Sequence, residues 1–182
     1  DFLGLVNAVN RRLNEVELSS ANFASATGFY SQAKDAVNAS IRYLNQSEYF
    51  WPFNHTTQET TLTANTSRYA FPTNAKVINF KTFRIKENSS LGNATTRLTE
   101  IAYEDYLDKY IDQEYSSSLG QGVPTQVAQA PSLEFIMTPE PDKAYELVYE
   151  YYTFPTDLSA ATDVPTIPER FQHIIVDGAM HY

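Results

Sequence analysis

The chain has 182 residues, enough for one domain or two small ones, and 42% of them are hydrophobic, an ordinary share for a globular core. The formal net charge of −9 disfavours tight nucleic-acid binding, because phosphate contacts are made by Lys and Arg, and the lack of cysteine excludes disulfide staples and points to synthesis in a reducing compartment. Aromatic residues make up 14%, chiefly 13 Tyr and 11 Phe, and no apolar run reaches the roughly 18 residues of a membrane span.

No signal peptide is visible. The chain opens at Asp1 without Met and closes at His181-Tyr182, both inside helical patterns, so both ends are read as trimmed. Phe2, Leu5, Val6, Val9, Leu13 and Val16 fall on one face of a first helix. Ser19 and Ser20 interrupt it and offer N-caps for a second. Phe23, Ala26, Tyr30, Ala33, Val37, Ile41 and Leu44 make a near-heptad seam along that long second helix, which ends between Ser47 and Pro52. Two amphipathic helices form a hairpin with a thin core, so a third element must cover them.

From Phe53 to Phe154 the period changes to two. Thr60-Leu62-Ala64, the turn Asn65-Thr66-Ser67 and Tyr69-Phe71 read as a β-hairpin. In Val77–Lys86 the apolar phase switches between Ile78/Phe80 and Phe83/Ile85, which predicts a bulge or sharp twist. Residues 88 to 93 read as a polar loop and Arg97 to Ala102 as a strand. A short helix follows, with Tyr103, Tyr106, Leu107, Tyr110 and Ile111 on one side and Glu104, Asp105, Asp108, Lys109 and Asp112 on the other. Glu114 to Pro124, with its Ser run and Gly-Gln-Gly, reads as an exposed loop. Leu133, Phe135 and Met137 alternate, a turn with two prolines follows, and Tyr145, Leu147, Tyr149 and Tyr151 mark the clearest strand. Pro155 to Pro168 is a proline-bearing linker. Pro168 opens a last helix with Phe171, Ile174, Ile175, Gly178, Ala179 and Tyr182 on its apolar face.

The predicted class is α+β: a discontinuous helical bundle, built from the N-terminal hairpin and the C-terminal helix, with an inserted, mostly antiparallel β-domain carrying one short helix. The expected boundaries are 1–52 with 156–182 for the helical domain and 53–155 for the insertion.

Chemistry-bearing patterns are few. His173, Asp177 and His181 step by four along the last helix, a metal-like spacing, but zinc usually takes four ligands and Arg170 lies on the same side. The reading is a polar stripe and no metal site. Glu104, Asp105, Asp108 and Asp112 lack the dry pocket that acid–base catalysis demands, so they read as a solvated helix face. No nucleophile elbow occurs, and Gly120-Gln121-Gly122 is only half of a dinucleotide fingerprint. No catalytic residue and no cofactor are expected. Six sequons, at Asn38, Asn45, Asn54, Asn65, Asn88 and Asn93, favour the alternative of a secreted or surface carbohydrate-binding β-protein. A carboxylate hydrolase is a third reading.

The order of features resembles the head-to-tail adaptors of short-tailed phages, also called tail tubular protein A. The likeness is carried by the helical pair ending in Trp51-Pro52-Phe53 and by the Thr-rich strand leading to Arg68-Tyr69-Ala70-Phe71-Pro72. It continues in Gly122-Val123-Pro124-Thr125, in Met137 to Asp142, in Tyr145 to Tyr152 and in Asp163 to Phe171. The resemblance implies a non-enzymatic virion protein made in the host cytoplasm and placed at the head–tail interface. It implies a ring of identical subunits, usually twelve, beneath the portal protein. A tail nozzle protein lies below, tail fibres attach at the side, and DNA passes through without sequence-specific contact. Tyr115, Ser116, Ser117, Ser118, Gln121 and Val123 are the candidate assembly-contact loop. An acidic lumen would repel the DNA backbone, which the negative charge permits.

Overall fold

The computed structural model describes residues 1–86, 95–116 and 120–182. It is α+β, and the chain divides into two compact units: Asp1–Asn54 with Phe154–Tyr182, and His55–Thr153.

The first unit is a discontinuous helical bundle. Helix α1 (Phe2–Arg12) starts at Asp1, whose carboxylate accepts from Gly4 N at 2.8 Å, and buries Phe2, Leu5, Val6 and Val9. It ends earlier than its apolar pattern. Asn14 has φ 58, the chain turns back, and Leu13 and Val16 are left 45% and 74% exposed. Asn7 then clamps the returning chain, its amide group accepting from Leu18 N and donating to Leu18 O, both at 2.8 Å.

The predicted long second helix is two helices. α2 (Ser20–Phe23) is a single turn, with Asn22 Oδ1 accepting from Ser19 N at 2.7 Å. α3 (Phe29–Ser47) begins after Gly28, whose φ of 62 is a backbone state that favours glycine and that no helix interior can hold. The seam from Ala33 through Val37 to Ile41 is buried as its spacing predicts.

α5 (Gln172–Ala179) packs on α1 and α3. Its face is rotated from the predicted one: Ile175, Val176 and Ala179 are buried, whereas Phe171, Ile174 and Tyr182 are 42%, 40% and 71% exposed. Gly178 lies against Ser40, so close that a Cβ there would meet Ser40 Oγ at 2.3 Å. The segment before α5 is anchored at several points. Asn38 Nδ2 donates to Leu158 O, and Leu158 N donates to Asn38 Oδ1, each at 3.0 Å. Phe2 N donates to Asp163 O at 2.7 Å.

Among the described residues the second unit has two four-stranded sheets and one helix. The strands are β1 (His55–Thr61), β2 (Arg68–Ala70), β3 (Ala75–Lys86), β4 (Thr95–Arg97), β5 (Thr99–Glu100), β6 (Gln126–Ala130), β7 (Glu134–Thr138) and β8 (Glu146–Thr153), with α4 (Tyr103–Tyr115) between β5 and β6. One sheet has the order β1-β8-β3-β4 and the other β2-β7-β6-β5. All pairings are antiparallel except β5 with β6.

The expected hairpin across residues 60–71 does not form. β1 pairs with β8 while β2 pairs with β7, so the intervening turn carries the chain from one sheet to the other. Side chains close that turn: Tyr69 Oη accepts from Thr63 N at 2.9 Å. The expected phase switch in β3 is present. Asn79 is level with Glu150 and Arg84 with Val148, so four residues of β3 face the single residue Tyr149. Thr82 Oγ1 bridges the gap, accepting from Glu150 N at 2.9 Å and donating to Asn79 O at 2.7 Å. The bulge turns both Phe80 and Phe83 inward, where they stack at 5.2 Å.

Between the sheets lie Phe83, Ile85, Leu147 and Tyr149 from one and Val127, Phe135 and Met137 from the other. Burial pushes the Tyr149 hydroxyl up to about 12. On the far side of the second sheet, Ala128, Ala130 and Ile136 receive Tyr106 of α4. The unit is therefore three layers deep: sheet, sheet, helix. The central sheet is covered on both faces, so β7 is apolar at consecutive positions and β6, short and rich in Ala and Gln, carries no alternation to predict it.

Candidate interaction surfaces

The polar stripe of α5 holds no metal-like cluster. His173, Asp177 and His181 are exposed, and Asp177 is held by Arg12. Among the described residues no three His, Cys, Asp or Glu side chains converge to bind a metal. Glu104, Asp105, Asp108 and Asp112 are likewise exposed, and Asp105 pairs with Lys109 at 3.3 Å along the helix.

The sequons divide by burial. Asn38, Asn45 and Asn54 are 9%, 1% and 4% exposed, and all three side chains are hydrogen-bonded inside the helical unit. A glycan on any of them would require that unit to open, which removes much of the support for the glycoprotein reading. Asn65 is exposed, and Asn88 and Asn93 lie outside the described residues, as does the predicted polar loop around them.

The predicted loop from Glu114 to Pro124 begins later than its composition suggests, because Glu114 and Tyr115 belong to α4. α4 continues through Tyr115, because Glu114 is bound there: its side chain is 14% exposed and accepts from Arg68 Nε at 2.7 Å and Nη2 at 3.1 Å. Ser67 adds a third donor at 3.2 Å, and Tyr103 Oη faces Arg68 Nη2 at 3.5 Å. The Glu114 hydrogen bond holds the guanidinium above its usual pKa. Burial first, and the Glu114 charge second, raise the pKa of Glu140 nearby. Of the predicted contact residues, Tyr115 is 83% exposed at the helix end and Ser116 caps it. Gln121 is exposed and donates to Asn65, and Val123 is 38% exposed. Ser117 and Ser118 lie outside the described residues.

A second surface has no counterpart among the predicted contact residues. In the helical unit, Leu44, Trp51, Pro52, Phe53, Ile167, Pro168, Phe171 and Ile174 line an open cleft of about 400 Å³, with Arg170 as its one charged residue. Trp51 is fixed by its indole N–H, which donates to Leu44 O at 2.9 Å, and it stacks on Phe53 at 5.2 Å. The Arg170 guanidinium lies 4.8 Å over the Phe171 ring. Phe171 and Ile174, which the sequence pattern assigned to the apolar face of the last helix, line this cleft and stay partly exposed. An apolar wall of fixed aromatic rings suits contact with another protein surface better than chemistry on a small substrate.

The cleft wall of the helical unit is thus apolar and aromatic, the composition of protein contacts. The family model described as SU10 adaptor protein matches residues 1–182. The chain belongs to that family, a phage head-to-tail adaptor family, and is by that membership a structural component of a phage particle. No curated protein matches it.

Proposed function

We propose that the chain is the repeating subunit of a ring, twelve copies in number, that joins the portal protein to the tail nozzle and forms part of the DNA conduit. The observation that carries this reading is the adaptor-family match over residues 1–182. It is supported by exposed apolar surface that a lone subunit has little use for, including Tyr49, Phe50 and Phe171 at 68%, 58% and 42% exposure. The net charge of −9 suits a wall past which DNA slides without retention. The helical unit is the portal-facing part and the β-unit the part that builds the wall, meets the nozzle and offers a side for fibres. The contact loop is Tyr115, Ser116, Gln121 and Val123 with the two serines between them. The narrower likeness to tail tubular protein A belongs to this same proposal.

The test is to mix the purified chain with portal rings from its own phage and image the product by electron microscopy. A ring of twelve seated on the portal is the expected result. A chain that stays monomeric and does not bind the portal would overturn the reading.

A further inference from the structure

Two sets of charge that form no ion pair among the described residues sit on opposite outer layers of the β-unit. The basic set lies at a sheet edge. β3 and β4 place Arg84 and Arg97 directly opposite each other, although like charges at facing positions destabilise a strand pair. Both residues are exposed, and among the described residues neither forms an ion pair. Lys81, from the bulge, lines a cleft of about 230 Å³ with Arg97 and Glu100, and it too is unpaired among the described residues. Arg84 lies between Phe83 and Ile85, both wholly buried between the sheets, so alternation turns it to the outer face. β4 is the edge strand of that sheet. The carboxylates of this sheet lie on β1 and β8, where Lys86 answers Glu59, His55 answers Glu150 at 3.2 Å, and Glu146 is level with Lys86.

The acidic set lies on α4, across the other sheet. Glu104, Asp108 and Asp112 are exposed at steps of four, a stripe about 12 Å long at the usual helical rise. Like charges at that spacing destabilise a helix. The helix dipole favours Glu104 in the first turn but opposes Asp112 in the last. Lys109 does not relieve the stripe, because it pairs with Asp105. Arg84 donates to Thr95 Oγ1 at 3.3 Å, but among the described residues no carboxylate answers the arginine pair and no cation answers Asp108 or Asp112.

We propose that these are the two halves of one contact, in which the Arg84–Arg97 edge of one copy receives the Glu104–Asp108–Asp112 stripe of the next. The proposal rests on the ring reading above. Two different patches make the contact heterologous, and such a contact repeated head to tail generates a ring when the rotation between copies closes. A second copy fits better than a polyanion. Chains of net charge −9 repel one another unless unlike patches meet, and three cations give nucleic acid few phosphate contacts at physiological salt.

The experiment follows assembly of the full chain, alone and on portal rings, by mass photometry at low and high salt. Three variants are compared with the parent: Arg84→Glu/Arg97→Glu, Asp108→Lys/Asp112→Lys, and all four changes together. Each reversal is expected to raise the assembly midpoint by more than about tenfold, and the four-fold swap to restore it, because the attraction depends on sign. Assembly indifferent to both reversals, or a swap that restores nothing, overturns the contact and leaves the ring reading intact. A parent chain that never assembles, even on a portal, overturns the ring reading and the contact together. Loss of duplex-DNA binding with assembly unchanged would make the edge a nucleic-acid patch and overturn the contact. If a reversal disturbs folding by circular dichroism, Arg84→Gln/Arg97→Gln replaces it, with a smaller shift in the same direction.

Discussion

α5 meets α3 where Gly178 lies against Ser40, and that contact yields the sharpest prediction. A Cβ at Gly178 would lie 2.3 Å from Ser40 Oγ and 3.3 Å from Ser40 Cβ. Ser40 is 1% exposed and its hydroxyl has no hydrogen-bond partner, so the oxygen has no outlet to solvent. Gly178→Ala should gain about 1 kcal/mol of helix propensity. Against that stands overpacking, which costs about 1–3 kcal/mol when helices must shift to admit a methyl group. The expected net effect is a loss of about 1 kcal/mol from those two terms. Ser40→Ala removes an unsatisfied buried hydroxyl and should be nearly neutral, within about 0.5 kcal/mol. In that background the new methyl meets only the Cβ at 3.3 Å, and Gly178→Ala should become neutral or stabilising. Urea denaturation of the four proteins, followed by far-ultraviolet circular dichroism, gives the coupling directly. A coupling of about 1 kcal/mol is expected, and one below about 0.3 kcal/mol would refute the idea that Ser40 and Gly178 set the helix spacing.

Three further outcomes are expected. Glu114→Gln should cost about 2 kcal/mol, between the values for surface and buried pairs, because Arg68 is left largely covered without its carboxylate; hydrogen exchange should report it as earlier opening of the last turn of α4. Asn38→Asp keeps the acceptor for Leu158 N but faces a carboxylate to Leu158 O, so it should lower stability by about 2 kcal/mol in chemical denaturation. Glu140 has a raised pKa in the fold, so the folded state binds its proton more tightly than the unfolded chain does. Stability should therefore fall as pH rises from the ordinary Glu value through the raised one. Glu140→Gln should flatten that limb of a stability–pH curve, and an unchanged limb would assign it to another group.

Period-two alternation in β8 and the seam of α3 were legible because each records one buried face, and burial of one face is a local property of the sequence. The bulge in β3 was legible for the same reason: two apolar phases can both turn inward only if the strand inserts residues between them. The aromatic cleft was not, because residues 44, 51–53 and 167–174 meet only through the folded bundle.

The sequence by itself determined the class and most of the inward-facing residues of the strands, but not β6 or the break between α2 and α3. Tertiary structure decided which strands pair. Residues 60–71 look like a hairpin, yet β1 and β2 belong to different sheets: β1 pairs along all of His55–Thr61 with β8, and β2 pairs with β7, partners that only the folded unit brings alongside. It also decided the rotation of α5. Ile174 and Ile175 are equally apolar, and the packing of α5 on α1 and α3, with Gly178 against Ser40, selects the one that enters the core. Side-chain periodicity says which face is greasy; the neighbour across the gap says how that face is turned.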